Sequence, residues 1–161
     1  MIQLKIGQLS GDVVKRKPSK IDKLFVAVTR RHFKHSRAIK MLGFDLESAG
    51  RGRAVLRMNV EPRHKQLNAV VHGGILAAMA DTAGAIAAYT TVPKDTTIAT
   101  VELKINYLEG IPGGQVRAVA RVLRTGRNFV VTECDIFDGK GLLAAKALLT
   151  FGAASGHSLE K

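Results

Sequence analysis

An α+β fold, an antiparallel sheet of about six strands wrapped around one long buried helix, is what this sequence predicts, and three observations predict it. Ile75–Tyr89 is rich in alanine and apolar on nearly every side, which suits a helix only when it is covered. The segments around it alternate apolar and polar residues with the period of two that marks half-buried strands. The runs after the helix are divided by short turns, Thr125-Gly126 and Asp138-Gly139. Short turns join antiparallel neighbours, because parallel strands need long crossovers. A chain of 161 residues can bury such a core as one domain without disulfides or metals. Its single cysteine, Cys134, excludes a disulfide framework and a multi-cysteine metal cluster, and fits a reducing, cytoplasmic compartment.

Taken in order, Met1–Pro18 is weakly patterned, ends in Lys15-Arg16-Lys17-Pro18 and reads as an extended arm. Ser19 and Asp22 resemble a capping box, and Ile21, Leu24, Phe25 and Val28 follow at helical spacing. They predict an amphipathic helix to about Met41, with Lys23, Arg30, Arg31, Lys34 and Arg37 on its other face. Residues 1–42 are thus a basic arm and helix appended to a core domain over 43–152, with a polar tail at 153–161. Phe44–Glu47 alternates, Gly50-Arg51-Gly52 supplies a turn, and Ala54, Leu56, Met58 and Val60 complete a hairpin. Glu61–Val71 is a loop. After the helix, Thr100–Tyr107 sets Val101, Leu103, Ile105 and Tyr107 against Thr100, Glu102, Lys104 and Asn106, and Gln115–Leu123, Asn128–Phe137 and Leu142–Phe151 complete the sheet. The sheet's concave side must wrap the helix, since nothing else in the chain can cover it.

Charge is placed unevenly. Of 25 Lys+Arg and 13 Asp+Glu, residues 1–65 hold 16 and 5, a balance of +11, and the remainder is nearly neutral. Such a field attracts polyanions, including multiply phosphorylated small molecules. Met1–Lys20 has no continuous apolar stretch, and the longest apolar segment, Ile75–Val92, carries Asp81, so no membrane span is expected. Neither nucleic acid nor membrane is expected as a partner.

One constellation suggests chemistry. Asp81 is the only acidic residue between Glu61 and Asp95 and stands inside the apolar helix. A buried carboxylate must be paired, hydrogen-bonded or neutralised, so Asp81 is either bonded locally, for example to Thr82, or is a general base or nucleophile. Gly73-Gly74 opens the same helix. Helix-start amides are unsatisfied and carry partial positive charge, and two glycines let a ligand oxygen reach them. Asn68 just upstream offers a further amide donor. Gly74 and Asp81 are seven residues apart, roughly 10 Å along a helix. One reacting carbon must lie about 3 Å from both its oxyanion donors and its attacking group. Two chains packed antiparallel along this helix satisfy that requirement better than one, which predicts a site shared across a two-fold dimer.

Asn68-x-x-x-His72-Gly73-Gly74, with Asp81 nine residues after the histidine, is followed by the strand Thr100-Val101-Glu102-Leu103-Lys104-Ile105-Asn106-Tyr107-Leu108. Together these resemble the hotdog-fold acyl-CoA thioesterases of the phenylacetic-acid-degradation type, the PaaI-like branch, over about Gly43–Phe151. The resemblance implies hydrolysis of an acyl-CoA to free acid and CoA without metal or bound cofactor, in a homodimer or homotetramer. It implies Asp81 as general base or nucleophile, the Gly73 or Gly74 amide with Asn68 polarising the thioester carbonyl, and Thr100 orienting the water or the carboxylate. His72 belongs to the signature and positions the turn beside the substrate. Met79, with Ile86 and Tyr89, is expected to bear on the depth of the acyl pocket. Lys104, Arg124 and Arg127, near strand ends, are candidates for the CoA phosphates. The alternative reading is a non-catalytic acyl-CoA-binding hotdog module of regulatory function. Cys134, on a strand face with Val130, Thr132 and Ile136, reads as a small core residue, and His32, His35, His64 and His157 as ordinary helix, loop and tail residues.

Overall fold

The computed structural model describes residues 35–155 together with Thr29. Helix α1 (Arg37–Leu42) leads into strands β1 (Asp45–Gly50) and β2 (Arg53–Asn59). A single 3-10 turn (Pro62–His64) and helix α2 (Gly73–Tyr89) follow, then β3 (Thr96–Tyr107), β4 (Gln115–Thr125), β5 (Phe129–Phe137) and β6 (Leu143–Ser155). The six strands form one sheet in the order β1-β2-β4-β5-β6-β3, and every pairing is antiparallel. The predicted architecture is therefore the observed one. Among the described residues no helix is long and apolar enough to cross a membrane.

The sheet curls around α2 because its inward residues are small where the helix approaches and large where it recedes. Ala54, Ala118, Ala120, Ala145 and Ala147 are buried on the strands, as are Ala80, Ala83, Ala87 and Ala88 on the helix. The helix lies close against the sheet at Gly84. A Cβ there would stand 2.9 Å from Thr132 Oγ1 and 3.2 Å from the Phe151 ring, so only glycine lets the helix lie this deep. Leu46, Leu56, Met58, Met79, Ile136, Leu149 and Phe151 fill the space on either side.

Three boundaries differ from the sequence expectation. Ser36 has extended backbone (φ −74°, ψ 115°) and its hydroxyl accepts from Ile39 N–H at 3.3 Å, so α1 begins afresh at Arg37 instead of continuing an upstream helix. Of the expected helix before Ser36, Thr29 and His35 are helical, and its other residues and the arm before it lie outside the described residues. β3 begins at Thr96, four residues early, because β6 runs on to Ser155 and pairs with it: Thr96 lies opposite Ser155 and Ile98 opposite Ala153. The start of the expected polar tail is therefore sheet.

Candidate active site

Asp81 sits in the middle of α2. The sheet does not cover this helix all round, as its composition suggests. Leu76, Met79, Ala80, Ala83, Ala87 and Ala88 are buried, while Gly74 is exposed and Ala78, Asp81 and Ala85 are half-buried. These four recur every three or four residues and make one open stripe of small side chains with a single carboxylate at its centre. Thr82, the expected local partner, donates to the Ala78 carbonyl at 2.8 Å. Asp81 instead accepts, through Oδ1, from Thr100 Oγ1 at 2.7 Å.

A bulge in β3 makes that bond possible. Strict alternation puts Thr100 on the same face as Glu102 and opposite to Leu103. The register shifts between Thr100 and Glu102, so that Thr100 lies opposite buried Phe151 and Leu103 opposite buried Leu149. The extra residue is Val101, which is 63% exposed. One inserted residue thus turns Thr100 to the helix side along with Leu103, Ile105 and Tyr107.

The start of α2 is finished with one gap. His72 is the N-cap, and its Nδ1 accepts from Gly74 N–H at 2.9 Å, which places the ring proton on Nε2. Ile75 N–H and Leu76 N–H donate to the His72 carbonyl at 2.9 and 3.4 Å. Gly73 N–H alone is left without a partner among the described residues. Of the two glycine amides, Gly74 is occupied by its own cap. Tyr107 closes the other side, donating its hydroxyl to the Gly73 carbonyl at 2.9 Å, with its ring so near that a Cβ on Gly73 would meet it at 3.0 Å.

The loop feeding this end is braced by His64. The imidazole is buried and Nδ1 accepts from Glu61 N–H at 2.9 Å, while the His64 carbonyl accepts from His72 N–H at 2.8 Å. Neutral imidazole then carries its proton on Nε2, and Arg63 Nε, 3.3 Å away, faces a donor there and adds repulsion. Burial first, and the Arg63 charge second, push the His64 pKa down, against an upward pull from Glu61. His64 is thus a structural latch, where the sequence suggested an ordinary loop residue. Lys65 pairs with Val71 and Gln66 N–H donates to the Val70 carbonyl, making a small hairpin. Asn68 lies at its exposed tip, three residues out from the pairing, whereas Gly73 begins beyond its base. Among the described residues no hydrogen bond joins Asn68 to the Gly73 amide. The carboxamide nearer the hairpin base is that of Gln66. At the tip Ala69 takes φ 60°, a left-handed conformation that favours glycine.

Comparison with known proteins decides the family. The thioesterase superfamily model matches residues 68–145, from the hairpin tip through the helix to β6. The chain is 30% identical to the proofreading thioesterase EntH of Cronobacter turicensis, over 64% of this chain and 75% of that one. It is 31% identical to 1,4-dihydroxy-2-naphthoyl-CoA hydrolase of Escherichia coli, over 58% of this chain and 68% of that one. This chain belongs to the thioesterase superfamily. A crystal structure of a thioesterase from Haemophilus influenzae superposes on this hotdog-fold thioesterase with TM-score 0.78 at 25% identity, covering 84% of this chain and 94% of that one. A point mutant of the phenylacetic acid degradation protein PaaI from Thermus thermophilus superposes with TM-score 0.67 at 25% identity, over 73% and 98%.

Not every residue singled out in the thioesterase sequence gathers here. Met79 is fully buried, two residues and so roughly 200° around the helix from Asp81, which points it into the core and away from the open stripe. Lys104 is exposed on edge strand β3, opposite Leu148, whereas Arg124 and Arg127 flank the β4–β5 turn three strands away. Arg51 stands in the β1–β2 turn and Arg53 at the first position of β2. Gly52 between them packs against Thr91 and Val122, so the β1–β2 turn lies beside the end of β4 that carries Arg124. Cys134 is buried, which pushes its thiol up to about 12 and leaves it no thiolate to attack with. Glu133 is held below the usual carboxylate range, chiefly by its hydrogen bond from Arg121 and also by Lys146, and is an ion-paired residue of the sheet face. Among the described residues no group of histidine, cysteine and carboxylate side chains is arranged to hold a metal ion.

Proposed function

We propose that this protein hydrolyses the thioester of an acyl-CoA to free acid and CoA, with Asp81 as the reacting carboxylate. The observation that carries this reading is the 2.7 Å bond from Thr100 to Asp81 Oδ1 on the open stripe of α2. It fixes one carboxylate oxygen and leaves Oδ2 to accept a proton from water or to attack carbon. In the base route water adds to the thioester carbon, Asp81 takes its proton, the C–S bond breaks and the thiolate leaves with that proton. In the nucleophile route Oδ2 forms an acyl anhydride, CoA thiolate departs, and water then cleaves the anhydride. Either route needs an amide donor at the carbonyl oxygen, and the unpartnered Gly73 N–H suits that role.

Within one chain Gly73 precedes Asp81 by eight residues, about 12 Å along the axis, so the two cannot share one reacting carbon. The reading is a homodimer in which the small-residue stripes of two α2 helices face each other and each Asp81 works beside the partner's helix start. The relatives named for a naphthoyl-CoA and for proofreading support thioester substrates without choosing the acyl group.

The test is thiol release over aromatic and aliphatic CoA esters of graded length, with wild type and Asp81→Asn. The variant is expected to keep its fold and lose about 10³-fold or more in kcat. Wild-type rates in the variant remove Asp81 from the reaction, and CoA-ester binding without turnover by wild type favours the non-catalytic module. Subunit mixing tests the shared site. Inactive Asp81→Asn protein mixed with a protein lacking the Gly73 amide regains activity, because each heterodimer holds one intact site.

A further inference from the structure

The two glycines that open α2 each seat a ring. A Cβ on Gly73 would stand 3.0 Å from Tyr107 Cζ, 3.2 Å from its Cε1 and 3.3 Å from its hydroxyl. A Cβ on Gly74 would stand 3.1 Å from His72 Nδ1 and 3.3 Å from its Cε1. The room that each missing side chain leaves is thus taken up, at Gly73 by a residue of the edge strand β3 and at Gly74 by the helix cap. The two rings are also joined through one peptide. Tyr107 donates its hydroxyl to the Gly73 carbonyl at 2.9 Å, and the N–H of the same peptide unit, that of Gly74, donates to His72 Nδ1 at 2.9 Å. A peptide that accepts at one end and donates at the other is polarised by both bonds, so each strengthens its neighbour.

Two successive glycines make a loose start to a helix. Glycine has the most backbone freedom to lose, and the first turn lacks the amide bonds that hold later turns. An amide that meets a developing oxyanion has to be held in place beforehand. On its preceding side Gly73 is held through the His72 carbonyl, which accepts from Ile75 and Leu76 N–H. On its following side Tyr107 supplies the hold. Tyr107 is itself fixed: it ends β3 opposite buried Ala145, and just beyond it Leu108 and Glu109 N–H both donate to the Ala144 carbonyl, at 2.8 and 3.1 Å. It nevertheless stays 51% exposed, so burial alone does not account for a tyrosine here.

We propose that Tyr107 is a positioning residue of the reaction: its hydroxyl, acting through the Gly73–Gly74 peptide and the His72 cap, holds the Gly73 amide in place for the thioester oxygen. The proposal rests on the thioesterase reading above, and two measurements separate them. The variant is Tyr107→Phe, which keeps the ring beside Gly73 and removes only the bond. In an active enzyme it lowers kcat about fivefold to tenfold and leaves KM for the same CoA ester within about twofold of wild type, as loss of one hydrogen bond felt in the transition state requires. Equal kcat in the two proteins overturns the proposal, as does a rise in KM with kcat unchanged. The second measurement needs no turnover. Amide hydrogen exchange is followed by NMR at Gly74, where the hydrogen-bond chain passes, and at Ala83 in the buried middle of α2. Tyr107→Phe speeds exchange at Gly74 about tenfold and leaves Ala83 as it was, because only the helix start opens. Equal exchange at Gly74 overturns the proposal, and equal acceleration at both sites overturns it in favour of a role in general stability. A wild-type protein that cleaves no thioester refutes the reaction reading, and exchange at Gly74 then still decides whether Tyr107 holds the helix start.

Discussion

At its N-terminal end α2 leaves the Gly73 amide without a partner among the described residues, whereas at its C-terminal end side chains finish the helix. There Thr90 Oγ1 donates to the Ala87 carbonyl at 2.6 Å and Thr91 Oγ1 to the Ala88 carbonyl at 2.9 Å, in addition to both backbone amides. An open helix end offers a fixed dipole to an arriving oxygen. A closed one offers no ligand group of its own and serves as a scaffold on which other turns are mounted. In the proposed reading the helix start and Asp81 take part in the reaction, while the helix end holds two turns in place.

The sharpest way to break this comparison is to remove the single amide that distinguishes the first end. Gly73→Pro deletes the N–H at the first helical position, where proline is well tolerated. The exposed Tyr107 ring must give by a few tenths of an ångström to admit it. The expected result is a fall in kcat of about 10²–10³ with Tm changed by a few degrees, the size of effect seen when one oxyanion donor is lost. Near-normal kcat in a folded Gly73→Pro protein assigns the carbonyl contact to some other group.

How far the sequence discloses these two ends differs for physical reasons. The hairpin, the apolar helix and the strand runs are legible because burial imposes a period on residue type, and Asp81 stands out because nothing apolar explains it. The His72-Gly73-Gly74 start is legible as a helix end. Which of its amides stays open is not, since that depends on the rotamer of His72. Thr100 was identified by resemblance alone, because the Val101 bulge that turns it inward leaves the local pattern looking like unbroken alternation.

A smaller effect sharpens the first end by way of the loop that leads to it. Burial holds the His64 pKa below its ordinary value, so the folded state favours neutral imidazole. The stabilisation is complete above the unfolded value of about 6.5 and is lost as pH falls from there toward the lower folded value. Wild-type Tm should therefore drop as pH falls below about 6.5. His64→Phe should melt lower at neutral pH, by about 1–3 kcal/mol of stability for the orphaned Glu61 amide, and show a shallower pH slope. An identical slope in both proteins moves the titration to another group.

The mildest test sits at the other end. Thr90 Oγ1 both caps Ala87 and accepts from Gly52 N–H, so Thr90→Ala removes the acceptor that ties the β1–β2 turn to the helix. The Ala87 carbonyl keeps the Thr90 backbone amide, so the helix itself survives. Denaturant unfolding should show a loss of about 1 kcal/mol, restored by Thr90→Ser, which keeps the hydroxyl. The more telling quantity is how kinetics divide. If the end of α2 acts only as a scaffold for the β1–β2 turn, freeing that turn leaves kcat where it was. A fall in kcat instead means that this end reaches the reacting carbon, and the division of labour along the helix fails.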